Sequence, residues 1–489
     1  MSKKFFFAFS IVLLVGILFV SFDISNNLIF KKNIISHKKL DSIISTLEEF
    51  EGFVGIKFNG NDIPYDITNN FYLLTQVENT MYNGNLTADN FEICILKPNK
   101  DKDELISSNG VIKILLYNKQ YYKFIDLKLT YFPVISLDNL SGKVTVYDNN
   151  SERGIVDIQQ YAMNYHVRGA STSYSKKPSY KLNILDSRRN KKKVSLLNMR
   201  TDDDWVLNSM TLDKSYLIEK LGYHIWENIS SYDIEMKYVE LFINNEYKGI
   251  YCLQEPADFK TYNSNKNSLI LSIKRWKENI MEPKLFNDNL EYNVLIDEFE
   301  LDSKINEKTQ IDLLRTFVAD TQDIKDYKSD IKLNYDVESF VNYNLFINLI
   351  SAIDNTYKNE KVLFRYVDGN YYVEPYPWDL DWSQDNEQLN SQYNFFGILN
   401  NKCTPKQLLN SEEYKSLVLN KYQTYRNSFY TQTYIDNFID STAKELHDSG
   451  AILREEKVWG KVDLDKSTKH LKDFYTRRIK QLDEYYGGM

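Results

Sequence analysis

The N-terminal end of the chain is a long uncharged hydrophobic run. Two lysines precede the segment from Phe5 to Phe22, FFFAFSIVLLVGILFVSF, which is about long enough to cross the hydrocarbon core of a bilayer. No small-residue cleavage site follows it, so we predict a retained transmembrane anchor or signal segment over residues 1–25 rather than a buried core helix. The basic residues before the run favour export of the body of the chain. The lysines between positions 31 and 39 favour the opposite orientation.

The pattern after the hydrophobic run predicts a stalk and then a small β-rich domain. Residues 26–50 form the predicted stalk, which ends in an amphipathic helix because apolar residues recur there at helical spacing, at Leu40, Ile43, Ile44, Leu47 and Phe50. Over residues 51–128 the pattern changes to short apolar runs such as FVGIKF and FEICIL, separated by Asn, Asp and Gly clusters. This part of the chain carries no chemical motif.

Residues 129–400 combine further strands with helices, and residues 401–489 have helical patterning throughout. Asp213 and Asp336 are predicted N-caps of two helices. The second of these helices, VESFVNYNLFINLISAI, is apolar all round and is therefore predicted to be buried. VLFRY and YYVEPY flank Asp368-Gly369, a dipeptide typical of the turn in a β-hairpin.

Composition narrows the class of protein. The chain has 489 residues, of which 43% are hydrophobic and 26% charged, as in a globular protein of two or three domains. A formal net charge of -8 argues against a nucleic-acid binder, which needs a basic face for phosphates. The three cysteines contain no C-x-x-C pair, so a structural zinc site is not indicated.

An ordered set of acidic and amide residues gives the first chemical signal. Asp354 follows the apolar helix, Asn359 comes five residues later, and the predicted hairpin leads to Asp379 and Asp381 in PYPWDLDWS. In protein kinases, a catalytic Asp precedes a metal-binding Asn by five positions, and a metal-binding Asp follows. The spacing alone is common in turns. Two carboxylates among bulky aromatics, however, are costly to bury without a cation.

A basic cluster gives the second signal, in HVRGASTSYSKKPSYKLNIL. Arg168 ends a predicted strand and precedes a polar turn. Lys177 follows at the start of the next predicted strand, and Lys181 lies within that strand. Such cations and donors suit a phosphate chain. The chain has no G-x-G-x-x-G or Walker A motif near them, so it matches neither an ordinary protein kinase nor a P-loop enzyme.

Four ordered motifs together resemble the CotH family of spore-coat-protein-H-like atypical kinases. They are HVRGASTSYSKKPSYKLNIL, DDDWVLNSMTLDKSYLIEKLGYHIW, VELFINNEYKGIYCLQE and YVEPYPWDLDWS. The resemblance implies an α+β fold with a diverged protein-kinase-like core over 129–400, continued by the helical C-terminal part. It also implies an ATP- and Mg²⁺- or Mn²⁺-dependent transfer of phosphate to Ser or Thr hydroxyls of a surface or spore coat protein. We expect the catalytic domain to lie outside the membrane because the N-terminal segment, with its short basic head, looks like an export signal.

The resemblance also implies roles for individual residues. Arg168 and either Lys177 or Lys181 would contact the nucleotide phosphates, and Glu255 of YCLQE would face the nucleotide. Asp354 would be the catalytic carboxylate. Asn359 and Asp379 would hold the metal ion, with Asp381 as an alternative ligand. Glu240, within a predicted strand, is expected instead to pair with a nearby cation.

Two other functions fit the sequence. The chain could be a catalytically inactive scaffold for assembly of the coat or cell surface. It could also be a metal-dependent hydrolase that uses the same three aspartates, although none of the five histidines lies beside them in the sequence. We favour the kinase-like enzyme because the four motifs occur together and in order.

Overall fold

The computed structural model describes the following residues: 34–76, 85–98, 100–150, 155–169, 172–232, 234–274, 299–325, 327–386 and 397–488. The predicted anchor over residues 1–25 lies outside them. Within the described part of the chain, no helix is both long and apolar enough to cross a membrane. The fold is a mixed α+β structure, as predicted.

The N-terminal region contains two sheets and two short helices. Its strands are β1 Ile34–Ile35, β2 Glu48–Glu49, β3 Ile56–Phe58, β4 Asn61–Asp62, β5 Tyr65–Asp66, β6 Phe71–Thr75, β7 Leu86–Ala88, β8 Glu92–Leu96, β9 Ile112–Tyr117 and β10 Tyr121–Thr130. The helices are α1 His37–Ile44 and α2 Lys102–Ser107. One sheet has the order β1-β8-β9-β10-β6-β5 with β2 added to β10, and the other has the order β4-β3-β7.

The described part of the predicted stalk belongs to this sheet. Ile34 and Ile35 pair in parallel with Ile95 and Leu96, and Leu40 of α1 is buried against the sheet. The predicted amphipathic helix is present but ends at Ile44, before the last apolar positions of the pattern. Apolar residues on one face of α1 therefore cover the sheet rather than extending a separate stalk.

The middle of the chain forms a closed seven-stranded barrel. Its strands are β11 Val134–Asp138, β12 Lys143–Asn150, β13 Ile155–Arg168, β14 Ser179–Leu185, β15 Asp204–Asn208, β16 Met236–Ile243 and β17 Glu246–Gln254, with helix α3 Ile218–Trp226 between β15 and β16. Alternate side chains of the strands fill the interior, and Trp205 and Leu241 are fully buried there.

The rest of the chain is a five-stranded sheet covered by helices. Its strands have the order β19-β18-β21-β22-β20, where β18 is Leu269–Ile273, β19 Phe299–Ser303, β20 Leu333–Tyr335, β21 Glu360–Val367 and β22 Asn370–Pro377. The helices are α4 Glu307–Gln322, α5 Val337–Leu349, α6 Lys406–Leu409, α7 Glu412–Arg426, α8 Gln432–Asp448, α9 Ala451–Trp459 and α10 Leu464–Gly487. They share one large hydrophobic core with α3.

Of the two predicted helix N-caps and the predicted hairpin, the structure confirms one cap and the hairpin. Asp336 caps α5 by accepting a hydrogen bond from the Ser339 backbone N–H at 3.2 Å, and that helix is buried, as predicted. The Asp368-Gly369 hairpin is also confirmed. The N-cap prediction for Asp213 is wrong, because α3 begins only at Ile218. Asp213 instead folds the preceding turn by accepting from Ser215 and from the backbone N–H of Ile218.

Candidate functional site

A cavity of about 730 Å³ lies where the barrel meets the five-stranded sheet. Its barrel side includes the end of β13 and the segment between β15 and α3. Its other side includes the turn after α5, the start of β21 and the segment that follows β22. Of the predicted site residues, the following line it: Arg168, Asp354, Asn359, Asp379 and Asp381. Residues up to 213 positions apart in the chain are thereby brought to one site.

Asp354 lies at the start of a short 3₁₀ turn just after α5. Its side chain is 2% exposed. One carboxylate oxygen accepts a hydrogen bond from the Tyr357 hydroxyl at 3.1 Å, and the other forms an ion pair with Lys358. A carboxylate has about four lone-pair positions, so these contacts orient Asp354 and leave acceptor capacity toward the cavity.

Asn359 and Asp379 lie side by side in left-handed backbone conformations, with φ of 55° and 57°. The Asn359 side-chain amide donates to the Asp379 carbonyl at 3.4 Å, and the Trp378 backbone N–H donates to the Asn359 carbonyl at 3.0 Å. Such backbone conformations are uncommon outside glycine, and surrounding structure must hold them. The β21–β22 hairpin between the two residues supplies that structure. Its strands pair along their whole length, so the residues that flank its two open ends are neighbours.

Asn355 supplies a second support for the same two residues. It is fully buried, and its side-chain amide donates to the Asn359 carbonyl at 2.7 Å and to the Trp378 carbonyl at 2.9 Å. One side chain therefore holds the segment of Asn359 and the segment of Asp379 in a fixed relation.

The charges of Asp379 and Asp381 interact with each other and with Asp354. Asp379 is open to the cavity, but the surrounding protein limits its solvation and so raises its pKa, while Arg168 and Lys358 oppose this shift. Burial, followed by the charges of Asp379 and Asp354, raises the pKa of Asp381 well above its ordinary value. An added cation would stabilise the ionised forms of both groups.

Aromatic side chains support the cations around the cavity. The guanidinium of Arg168 lies 5.3 Å from the centre of the Trp378 ring, and the Lys361 ammonium lies 5.7 Å from the same ring. The Arg168 side chain makes no hydrogen bond or ion pair with any described residue. Its five N–H donors are therefore available to an anionic ligand in the cavity.

Lys177 does not line the cavity. Its ammonium is buried, pairs with Glu455 of α9 at 2.6 Å, and donates to the Ile250 carbonyl at 2.7 Å. The rings of Tyr216 and Tyr251 flank it. In this arrangement Lys177 joins the barrel to α9, and the geometry gives no support to the expected phosphate contact.

Lys181 and Glu255 also lie away from the cavity lining. Lys181 pairs with Asp204 on the neighbouring strand at 2.6 Å, and it is partly exposed on the outside of the barrel. Glu255 accepts a hydrogen bond from the Arg200 backbone N–H at 3.1 Å. The expectation for Glu240 is confirmed, because it forms a buried two-point ion pair with Arg454, at 2.6 and 2.7 Å.

Several residues of the cavity were not predicted from sequence. Glu219 and Asn208 line its barrel side with Gln254, and Lys358 and Lys361 line the other side. Lys358 stands four residues after Asp354, and opposite charges at this spacing meet in helical turns. The sequence could therefore have predicted this ion pair. The position of Glu219 had none, because it depends on where α3 packs.

An acidic triplet elsewhere is already neutralised. Within the described residues, Asp202, Asp203 and Asp204 have carboxylate oxygens within 4.8 Å of one another. Lys260 contacts all three, and Arg200 pairs with Asp202 at 3.0 Å. The triplet therefore has protein cations where a metal ion would otherwise bind.

A search of curated proteins found no match. A family model described as CotH kinase protein matches residues 165–482, which cover most of the chain and include Arg168 and the acidic cluster of the cavity. The chain therefore belongs to the CotH kinase protein family.

Proposed function

We propose that this protein is an ATP- and divalent-metal-dependent phosphotransferase, an atypical protein kinase that acts on Ser or Thr hydroxyls. The observation that carries the proposal is the meeting of Asp354, Asn359, Asp379 and Asp381 with the unpaired Arg168 in one cavity. Membership of a kinase family agrees with it. We further propose that the barrel and the helix-covered sheet together are a diverged kinase-like core, with the cavity as its cleft.

The residues of the cavity suit Mg²⁺ or Mn²⁺. Asp379, Asp381 and Asn359 offer carboxylate and amide oxygens, which are the ligands that these hard cations prefer. The two aspartates repel each other when both are ionised, so a cation bound between them would stabilise both charges. A bound divalent ion would supply neutralisation of the charge on the transferring phosphate.

Asp354 is suited to orient the acceptor hydroxyl and accept its proton. In the proposed reaction, the hydroxyl oxygen forms a bond to the γ-phosphorus of ATP, and the bond from that phosphorus to the bridging oxygen of ADP breaks. The hydroxyl proton passes to the Asp354 carboxylate. Tyr357 and Lys358 hold this carboxylate, so that it stays in one orientation during the transfer.

Arg168 is suited to hold the phosphate chain. A guanidinium can bind phosphate oxygens through two parallel hydrogen bonds. Its stacking on Trp378 orients it without using any of its donors. Lys361 lies 5.7 Å from the centre of the same ring and lines the cavity, so we propose it for the phosphate contact that the family resemblance assigned to Lys177 or Lys181.

We propose that the acceptor is a protein of the cell surface or the spore coat, and that the enzyme works outside the membrane while tethered to it. The support is the hydrophobic run from Phe5 to Phe22 together with the resemblance of the four sequence motifs to spore-coat-protein-H-like kinases. No nucleic-acid partner is proposed, since the chain has a net charge of -8.

Metal-dependent nucleotide binding is the first test. The protein is heated with and without ATP and Mn²⁺, because a ligand that binds only the folded state raises the melting temperature. We expect Asp379→Ala to abolish the ATP- and Mn²⁺-dependent rise. Asp368→Ala, which removes an exposed acid at the hairpin tip, is the matched control and should keep it. An unchanged rise in Asp379→Ala would contradict the proposed metal site.

Transfer of labelled phosphate from ATP to candidate coat or surface proteins is the second test. We expect Asp354→Asn to bind ATP and Mn²⁺ with near wild-type affinity but to lose transfer by at least about a hundredfold, since a positioned base contributes 10²–10⁴-fold. The scaffold alternative makes a different prediction, namely that wild type and Asp354→Asn both bind without measurable transfer.

A further inference from the structure

Glu219 is a buried acid with an unused ligand atom in the cavity wall. It lies in the first turn of α3, and its side chain is 8% exposed. One carboxylate oxygen accepts a hydrogen bond from the Asn208 side-chain amide at 2.8 Å. The other oxygen has no hydrogen-bonding or ion-pair partner among the described residues, although Glu219 lines the cavity. The residue is largely buried, so an ionised carboxylate there is costly unless a further donor or a cation contacts it.

The orientation of Glu219 is fixed by the residues behind it. The side-chain carbonyl of Asn208 accepts from the Met210 backbone N–H at 3.0 Å, so its amide group must point the other way. That amide donates both to Glu219 and, at 3.3 Å, to the side-chain carbonyl of Gln254. Gln254 is itself 2% exposed. This chain of hydrogen bonds holds Glu219 in place before any ligand arrives.

Helix α3 packs directly on the segment that carries Asp379 and Asp381. A Cβ atom on Gly222 of α3 would come within 2.8 Å of Leu380, which lies between the two aspartates. The Gln384 side chain donates to the carbonyl of Ile218 in the first turn of α3 at 2.6 Å. These contacts pack the first turn of α3 against the segment of the two aspartates, and Glu219, Asp379 and Asp381 line the same cavity.

We propose that Glu219 is a third acidic ligand of the divalent cation site, contributed by α3 and facing the oxygens of Asp379 and Asp381. This inference rests on the cation site of the proposed function. Three carboxylates from two chain segments, with Arg168 lining the same cavity, form an oxygen-rich site for a hard divalent cation. The site would then bind the ion before nucleotide, because its ligands are already oriented.

The experiment measures Mn²⁺ binding to the full chain without nucleotide. Free Mn²⁺ is followed by its electron paramagnetic resonance signal during titration of wild type, Glu219→Gln, Asp379→Asn and Glu300→Gln. Glu300 is an exposed acid of the same cavity wall, so its substitution is the charge-matched control. We expect Glu219→Gln and Asp379→Asn to weaken Mn²⁺ binding at least tenfold, and Glu300→Gln to change it less than twofold.

Thermal unfolding separates a loss of ligand from a loss of fold. In excess chelator we expect Glu219→Gln to melt at or above the wild-type temperature, because the substitution removes an uncompensated buried charge. The rise in melting temperature that Mn²⁺ gives to wild type should be reduced in this variant. If Glu219→Gln melts early in chelator, Glu219→Asn replaces it in both measurements and is held to the same criteria.

Each outcome separates the inference from the proposed function. If Glu219→Gln binds Mn²⁺ within twofold of wild type while Asp379→Asn does not bind, the role of Glu219 is refuted and the proposed cation site stands. If wild type itself does not bind Mn²⁺ without nucleotide, the inference fails, and the ATP-dependent melting test decides the proposed function separately.

Discussion

Asn355 is the residue on which the geometry of the acidic site most depends. Its side chain is fully buried and is not itself part of the cavity lining. Its amide group nevertheless bonds to the carbonyls of Asn359 and Trp378, one residue before Asp379. It is therefore a positioning residue, which acts on a ligand only through the two segments that it joins.

We expect Asn355→Ala to lower the free energy of unfolding by about 2–3 kcal/mol, because it removes two buried hydrogen bonds and leaves the carbonyls less well paired. We also expect Mn²⁺ affinity to fall about tenfold, since Asn359 and Asp379 lose their common support. Urea unfolding and Mn²⁺ titration measure the two effects. The control is Asn370→Ala, whose amide bonds to a carbonyl in an exposed turn. A loss of stability with unchanged Mn²⁺ affinity would show that Asn355 has no role in positioning.

The proximity of Asp354, Asn359 and Asp379 could be predicted from their order in the sequence, because a single hairpin separates the first two residues from the third. Its Asp-Gly turn fixes the register, and the register determines which residues face each other. The same reasoning does not reach Lys177, which is not part of the cavity lining and whose partner Glu455 lies 278 residues away in the chain. A contact of that range leaves no local pattern, and a lysine near a polar turn is equally compatible with a ligand and with a buried ion pair.

At the scale of elements, strand β10 meets helix α9 through groups of like charge. Lys128 of β10 is 6% exposed, and its ammonium lies 4.5 Å from the centre of the Phe71 ring. Burial, followed by the charges of Lys457 and Arg454 on α9, lowers the pKa of Lys128 to about 8. The contact between the N-terminal sheet and the C-terminal helices therefore contains an ammonium group, that of Lys128, which loses its proton more easily than an exposed lysine.

We expect this contact to produce a rise of stability with pH. Between about pH 8 and 10.5, the unfolded chain keeps a proton on Lys128 that the folded chain has released, so the free energy of unfolding increases with pH. Lys128→Met should remove that rise and add about 2 kcal/mol at pH 7. Urea unfolding at several pH values measures both effects. Lys119→Met, an exposed control in the turn before β10, should follow wild type.

Elements defined by local patterns were predicted well, and those defined by packing were not. The Asp368-Gly369 hairpin and the buried helix α5 follow turn residues and apolar patterning, which act over a few positions. Helix α3 begins five residues later than its predicted cap because Asp213 uses its carboxylate to fold a separate turn first. The position of Glu219 against Asp379 depends on that shift, and this is why sequence reasoning missed it.

For the whole molecule, helix α9 joins the three main parts. Arg454 bonds to Glu240 of the barrel and to Asn109 of the N-terminal region. Glu455 bonds to Lys177, to the Tyr216 hydroxyl and to the Ile250 backbone N–H. Two buried charges on adjacent residues thus bind to partners distant in the chain, so that removal of either would leave a buried ion uncompensated.

Gly249 makes this junction possible, and its substitution is the sharpest test of it. The residue lies in β17 with φ of 92°, and a Cβ atom there would come within 2.0 Å of a carboxylate oxygen of Glu455. Gly369 has a similar φ of 85° with nothing within 4 Å, so Gly369→Ala isolates the backbone cost, about 1 kcal/mol. We expect Gly249→Ala to cost a further 3–5 kcal/mol, because Glu455 must leave the buried Lys177. Urea unfolding of the two variants measures the difference, and equal losses would mean that α9 does not depend on this contact.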